Sequence, residues 1–202
     1  MRPLSALLAA AVLLASACGE DDRSAGASRG NSVDRAFIAG MVPHHEMGVE
    51  MARMAAADAS SQAIVALARD MVRVQSREID DMRWLDGELE RDGVRRGDLG
   101  LSHDEMGMGH DMDALGRARR FDREWIAAMV PHHQGALRMV RAELRSGADE
   151  RVKALARAIL ATQAHEIRWM RAHRTDVHGG RVAGRRADGR VAGRRAELPQ
   201  TR

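Results

Sequence analysis

Aromatic side chains are nearly absent from this 202-residue chain, which has no tyrosine, two phenylalanines and three tryptophans. Without stacking platforms, and with a folded part that is not basic overall, the chain is not expected to bind nucleic acid. There is one cysteine, Cys18, so no internal disulfide can form and the fold must stand on packing alone. A thiolate cluster is excluded too, and any bound metal must rely on histidine, methionine or carboxylate donors. No apolar run is long enough to span a bilayer: the longest, Leu4 to Ala15, falls short of the roughly 20 residues required.

That short run follows Arg2 and closes on Ala15-Ser16-Ala17-Cys18, small residues before a cysteine. It reads as a secretory signal over residues 1–17, cut where Cys18 would be acylated; the alternative is an ordinary signal with an incidental cysteine. The expected location is the cell envelope, with the chain lipid-anchored on the extracytoplasmic side and the membrane a partner through that anchor. Gly19 is not the Asp that marks inner-membrane retention. Residues 18–31 are too polar and Gly/Ser-rich to bury a core and form a flexible tether.

The net charge of +3 misleads if read as a property of the whole. From Arg174 onward eight Arg face Asp176, Asp188 and Glu197, about +5, which leaves the rest near −2. This tail repeats Arg-Val-Ala-Gly-Arg-Arg-Ala from Arg181 and again from Arg190 with no period that builds a core, so residues 176–202 are expected to be disordered.

A shift of 88 residues lays Phe37–Met82 on Trp125–Met170 without a gap, and 17 of the 46 aligned positions are identical. Each half is rich in Ala, Leu, Met, Arg and Glu with apolar residues at helical spacing, such as Ile64, Leu67, Ala68, Met71, Val72, Ile79 and Met82. Polar breaks at Asp58-Ala-Ser-Ser61 and Ser146-Gly-Ala-Asp149 divide each half into two helices joined by a short turn. The expected fold is all-α: a four-helix bundle over residues 32–175 made of two antiparallel hairpins, 34–89 and 117–174. The Gly-, Met- and His-rich linker 91–116 is long enough for either an antiparallel link or a crossover.

Both halves carry Met-Val-Pro-His-His, at Met41–His45 and Met129–His133. An interior proline removes a backbone hydrogen bond, so Pro43 and Pro131 predict a kink or restart, or else a helix that begins at the proline. Met41, His44, His45, Gly48 and Met51 share a face, and Met129, His132, His133, Ala136 and Met139 repeat it. Antiparallel pairing about a turn centred near residue 59 or 60 sets Met41 opposite Glu78 and His44 opposite Gln75, with Met129 near Glu166 and His132 near Gln163. Adjacent histidines point about 100° apart, so one of each pair would bind while the other orients or bridges. Gln75, Glu78, Gln163 and Glu166 are candidate partners for the second ring nitrogens.

The linker adds His103, Met106, Met108, His110 and Met112 in polar surroundings with no evident core to fill. Thioether and imidazole without thiolate favour Cu(I), and Cu(II) through histidine, over zinc. Met47, Met54, Met71 and Met82 are expected to serve packing first. His173 and His178 are expected to be solvated, and His165, which has no counterpart in the first half, to be incidental.

The twice-used motif, with the Gln, Glu-Ile and Met that follow each copy, resembles the domain-of-unknown-function family 305 over residues 33–173. The resemblance implies a small exported protein with a ferritin-like four-helix bundle. It further implies metal contact at His44, His45, His132 and His133, support from Met41, Met51, Met129 and Met139, and a Met/His loop like that of copper-binding members.

Three functions are open to such a chain. The leading one is a copper-binding protein for sequestration or hand-over to a copper-handling partner, not an enzyme. A di-metal oxidase would need Glu-x-x-His motifs, absent from both repeats, and Trp169 stands where a zinc-protease motif begun at His165-Glu166 requires its second histidine. The third is a structural or partner-binding bundle whose imidazoles and carboxylates satisfy one another without metal. Oligomeric state is not encoded in any of these features.

Overall fold

The computed structural model describes residues 30–174. The signal segment, Cys18 with most of the tether, and the Arg-rich tail with His178 lie outside the described residues. Within them are five helices and no strand: α1 Ser32–Asp58, α2 Gln62–Arg91, a short α3 Met112–Gly116, α4 Phe121–Ser146 and α5 Glu150–His173. The two polar breaks become the turns. Ser61 caps α2 through Ile64 N–H, and Asp149 caps α5 through Arg151 and Val152 N–H, each supplying an acceptor to otherwise unpaired first-turn donors. Asn31 and Asp34 form a capping box at α1, so the residue read as the tether's end belongs to the folded body.

α1 packs on α2, α4 packs on α5, and the two hairpins meet chiefly through α1 and α4. Reciprocal clasps set that meeting. The Asp34 carboxylate accepts from the backbone N–H of Ala148 (3.0 Å) and Asp149 (3.0 Å) in the α4–α5 turn. The Asp122 carboxylate accepts from Ser60 (2.8 Å) and Ser61 (2.9 Å) in the α1–α2 turn. All three positions are 88 apart, so the first helix of each hairpin holds the turn of the other and α1 runs antiparallel to α4. Neither aspartate was singled out in the sequence, although their spacing matched the repeat.

The clasps also decide the linker. α2 ends beside the start of α1, where Arg35 donates to Val94 O (2.8 Å) and Gly97 N–H donates to Ser32 O (2.9 Å). α4 begins at the opposite end, beside Ser60. The linker therefore runs the length of the bundle as a crossover, in the hairpin, crossover, hairpin order of ferritin-like folds.

The core is two apolar clusters. One gathers Phe37, Met41, Met82, Leu89, Met139 and Ile159; the other gathers Met51, Met71, Trp125, Ile126, Met129 and Met170. Trp125 Nε1–H donates to Met51 O (2.9 Å), so the indole is buried with its polar atom satisfied. Met47 and Met54 pack at the margin of the second cluster.

Two expectations are corrected. α1 and α4 run unbroken through Pro43 and Pro131, which stand exposed on the solvent side, so neither helix restarts or begins at its proline. The facing pairs are His45 with Glu78 and His133 with Glu166, not Met41 with Glu78 and Met129 with Glu166. Helical side chains lean toward their own N-termini. Across an antiparallel pair that lean brings together residues about one turn apart from the level estimate.

Candidate metal centre

The four motif histidines are fully buried between the two apolar clusters. His44 from α1 and His132 from α4 stack with ring centroids 3.7 Å apart and planes within 12° of parallel. Their hydrogen bonds set the tautomers. His44 Nε2–H donates to His132 O (2.9 Å), so Nδ1 carries the lone pair. His132 Nδ1–H donates to Gly107 O (3.1 Å), so there Nε2 carries it. Neither lone pair has a hydrogen-bond partner. Burial above all, then repulsion from the neighbouring imidazoles, holds His44 well below its ordinary pKa and pushes His132 down to about 3. Both rings are neutral, the form that ligates a metal.

His45 and His133 turn back into their own hairpins. Nε2 of His45 lies 2.9 Å from the Glu78 carboxylate, and Nε2 of His133 lies 2.7 Å from that of Glu166. Each carboxylate accepts the Nε2 proton, which leaves Nδ1 without a partner in both rings. Gly48 makes room at the centre: a Cβ there would lie 2.5 Å from Gln75 Oε1 and 3.1 Å from His132 Nε2. Gln75 Oε1 and both amide atoms of Gln163 are likewise buried without a partner.

The motif thioethers bracket this layer. Met41 and Met139 lie in the first cluster, Met51 and Met129 in the second, and all four are fully buried. The linker joins the layer from outside. His110 presents its ring edge-on to His132, at 5.8 Å and 60°, and its Nε2 is buried without a partner. Burial also lowers the pKa of His110. A Cβ at Gly40 would lie 3.2 Å from Met139 Sδ and 3.6 Å from Met106 Sδ, so a linker thioether sits beside a helix thioether. Met108 is half-buried and His103 is exposed.

The linker methionines do have a core to fill, contrary to expectation: Met106 packs on the first cluster and Met112 on the second. A crossover spans the bundle, so its middle must lie across the His layer. His173 is not simply solvated either, since it stacks on Trp169 at 3.9 Å and bonds Trp169 O through Nδ1 (2.8 Å). His165 is exposed.

Gly135 is the residue that sequence reasoning missed. Any Cβ there would collide with the carbonyl of Met106, and Gly107, at φ +74°, lies equally close to Pro131 O and His132. The signal was Gly135 standing where the first repeat has Met47: one face of the duplicated helix had been cleared for a backbone.

Among the described residues no three of His, Cys, Asp and Glu are arranged to hold a metal ion together. The layer instead offers neutral imidazole lone pairs flanked by thioethers. That set suits a soft ion and lacks the oxygen cage of Ca²⁺ or Mg²⁺ and the thiolates of structural zinc.

A family model described as "Domain of unknown function (DUF305)" matches residues 15–85 and 93–174. No curated protein sequence matches the chain. Among solved structures, CopM in its Cu(I)-bound form is similar at 32% identity and a TM-score of 0.60, over 72% of this chain and 98% of that one. CopM in its Cu(II)-bound form gives 33% and 0.61, over 71% and 96%. A DUF305 fragment from Deinococcus radiodurans gives 26% and 0.61, over 73% and 98%. The matched residues take in α1, α2 as far as Leu85, α4 and α5, and the chain belongs to the DUF305 family.

Proposed function

We propose that this protein binds copper, as Cu(I) and through its histidines as Cu(II), in the imidazole–thioether layer, and serves to sequester or hand over the ion in the cell envelope. The observation that carries the reading is the stacked pair His44 and His132, whose lone pairs are buried, neutral and without partners. A buried acceptor left unmade costs about 1–3 kcal/mol, and a soft cation would satisfy several such atoms at once. His44 Nδ1 and His132 Nε2 are the first donors. Met41, Met51, Met129 and Met139 supply thioethers on either side, and His45 and His133 are oriented by Glu78 and Glu166, the outer support common at metal sites. His110 and Met106 are positioned to join from the linker; Met108 is half-buried, Met112 packs on the second cluster and His103 is exposed. CopM, which the chain resembles, has been solved with Cu(I), Cu(II) and silver.

The rest of the proposal concerns place and partners. The Ala-Ser-Ala-Cys18 segment supports export and a lipid anchor in the membrane. Ligand exchange among thioethers and imidazoles supports release to a copper-handling protein without turnover. The competing reading, a bundle whose histidines are a polar core, draws on the His45–Glu78 and His133–Glu166 pairs, which need no metal; it leaves one buried ring nitrogen of each of the four histidines without a partner. Titration of the full chain with Cu(I) against a competing chelator, beside a variant with His44, His45, His132 and His133 changed to Ala, tests the choice. Tight binding lost in the variant is expected; equal, weak binding by both would sink the copper reading in favour of the structural one.

A further inference from the structure

The outer faces of the two hairpins carry equivalent grooves, and these have diverged in charge. On the first hairpin the groove is lined by Glu46, Arg53, Asp80 and Arg83, two acids and two bases, with Arg83 paired to Glu46 at 2.6 Å. At the same places on the second hairpin, 88 residues on, stand Gln134, Arg141, Arg168 and Arg171, and Arg138 joins them where the first repeat has Glu50. Both acids are gone, and four guanidiniums surround a groove of about 320 Å³ floored by Leu137 and Ile167.

For three of these four arginines nothing in the fold calls for the arrangement; the fourth, Arg138, donates from Nε to the Glu105 carbonyl and so ties the linker to α4. Arg138 with Arg141 and Arg168 with Arg171 are like-charge pairs at i,i+3, which disfavour the helices that carry them. None of the four has a carboxylate within ion-pair distance among the described residues. Glu105, whose charge acts on Arg138, is engaged by the Ser102 N–H and hydroxyl at 2.9 and 2.8 Å. The first groove shows that the same backbone accommodates balanced charge, so Arg141, Arg168 and Arg171 answer to something other than packing.

We infer that the α4–α5 groove is an anion site for a phosphoryl group carrying two or more charges, gripped from both helices by Arg141, Arg168 and Arg171 with Arg138 at its rim. Guanidinium forks match phosphate oxygens in pairs, and a groove of this volume is at the small end of ligand sites. The phosphoryl group has two possible sources, a free phosphate compound or the headgroup of an anionic lipid. The inference is independent of the metal layer, which faces the bundle's interior.

The test titrates the full chain calorimetrically with pyrophosphate at low ionic strength, and in parallel sediments it with vesicles of phosphatidylglycerol mixed with phosphatidylcholine. Arg168→Asp is the key variant, because it restores the residue that the equivalent groove already carries at Asp80. Arg141→Ala is the second, and the Arg-rich tail is the same in every sample. Pyrophosphate binding that falls about tenfold or more in either variant, the scale of one lost charged hydrogen bond, establishes the site with a free phosphate compound as its source. Vesicle binding lost in the variants, with pyrophosphate inert, establishes it with the headgroup as its source. Binding of neither, or binding of either that both variants leave unchanged, overturns the inference and assigns any anion affinity to the tail.

Discussion

His44 and His132 occupy equivalent positions in the two halves, yet they offer opposite ring nitrogens: Nδ1 from one, Nε2 from the other. The difference arises because the acceptor for His132 is a linker carbonyl, while the acceptor for His44 belongs to His132 itself. The residue pattern made the four histidines legible as candidates, but tautomers depend on which carbonyls lie nearby, and the one that breaks the symmetry, Gly107 O, belongs to a segment with no internal repeat. The low pKa of His132, about 3 against an ordinary 6.5, has two consequences. The unfolded chain takes up protons first as pH falls, so the histidine layer stabilises the fold above pH 6.5 and that stability is lost as pH drops toward 3. Copper affinity is expected to vary by less than about threefold between about pH 7 and pH 5, since the ligands need no deprotonation in that window. Chelator competition at the two pH values checks this; a loss near tenfold per pH unit would place the ion on exposed histidines instead.

Glu143 is a second buried group with an altered proton, and its counterpart in the first half is the inert Ala55. Burial first, then contact with the Asp34 carboxylate, pushes its pKa from 4.5 up to about 8. A raised carboxyl pKa reverses the usual sign for an acid: the contribution is fully present below pH 4.5 and is lost as pH rises toward 8. Glu143→Gln keeps the shape and stays neutral. Thermal melts are expected to coincide with wild type near pH 5 and to exceed it by several degrees near pH 8, since about 1 kcal/mol moves Tm by roughly 2–4 °C at this size. Parallel slopes for the two proteins would remove Glu143 from the account.

At the scale of elements, helices, turns and the repeat boundary were readable because propensity, capping residues and apolar spacing agree. The linker's path was not, because its length permitted two topologies and the choice is made by Asp34 and Asp122 clasping distant turns. Once the crossover is fixed, Gly135 becomes its seat. Gly135→Ala is expected to push the Met106–Gly107 backbone off α4, lower stability by about 1–3 kcal/mol as overpacking does, and speed amide hydrogen exchange at residues 103–110. Exchange there at the wild-type rate would show that the close approach does not hold the linker.

The folded body is a duplication in which the histidine layer and the clasps kept their symmetry while other positions, buried and exposed, did not. Motif histidines, their carboxylate partners and the clasps recur at a spacing of 88, whereas Gly135, Glu143 and the arginine groove depart from it. Conserved internal symmetry around imidazoles with no hydrogen-bond partner is the basis of the copper assignment. X-ray absorption at the copper edge of the full chain loaded with one equivalent of Cu(I) tests it most directly. The account predicts imidazole nitrogen and thioether sulfur together around the ion, with the nitrogen shell lost in a His44→Ala, His132→Ala double variant; a spectrum unchanged by that variant, or one without sulfur, would contradict it.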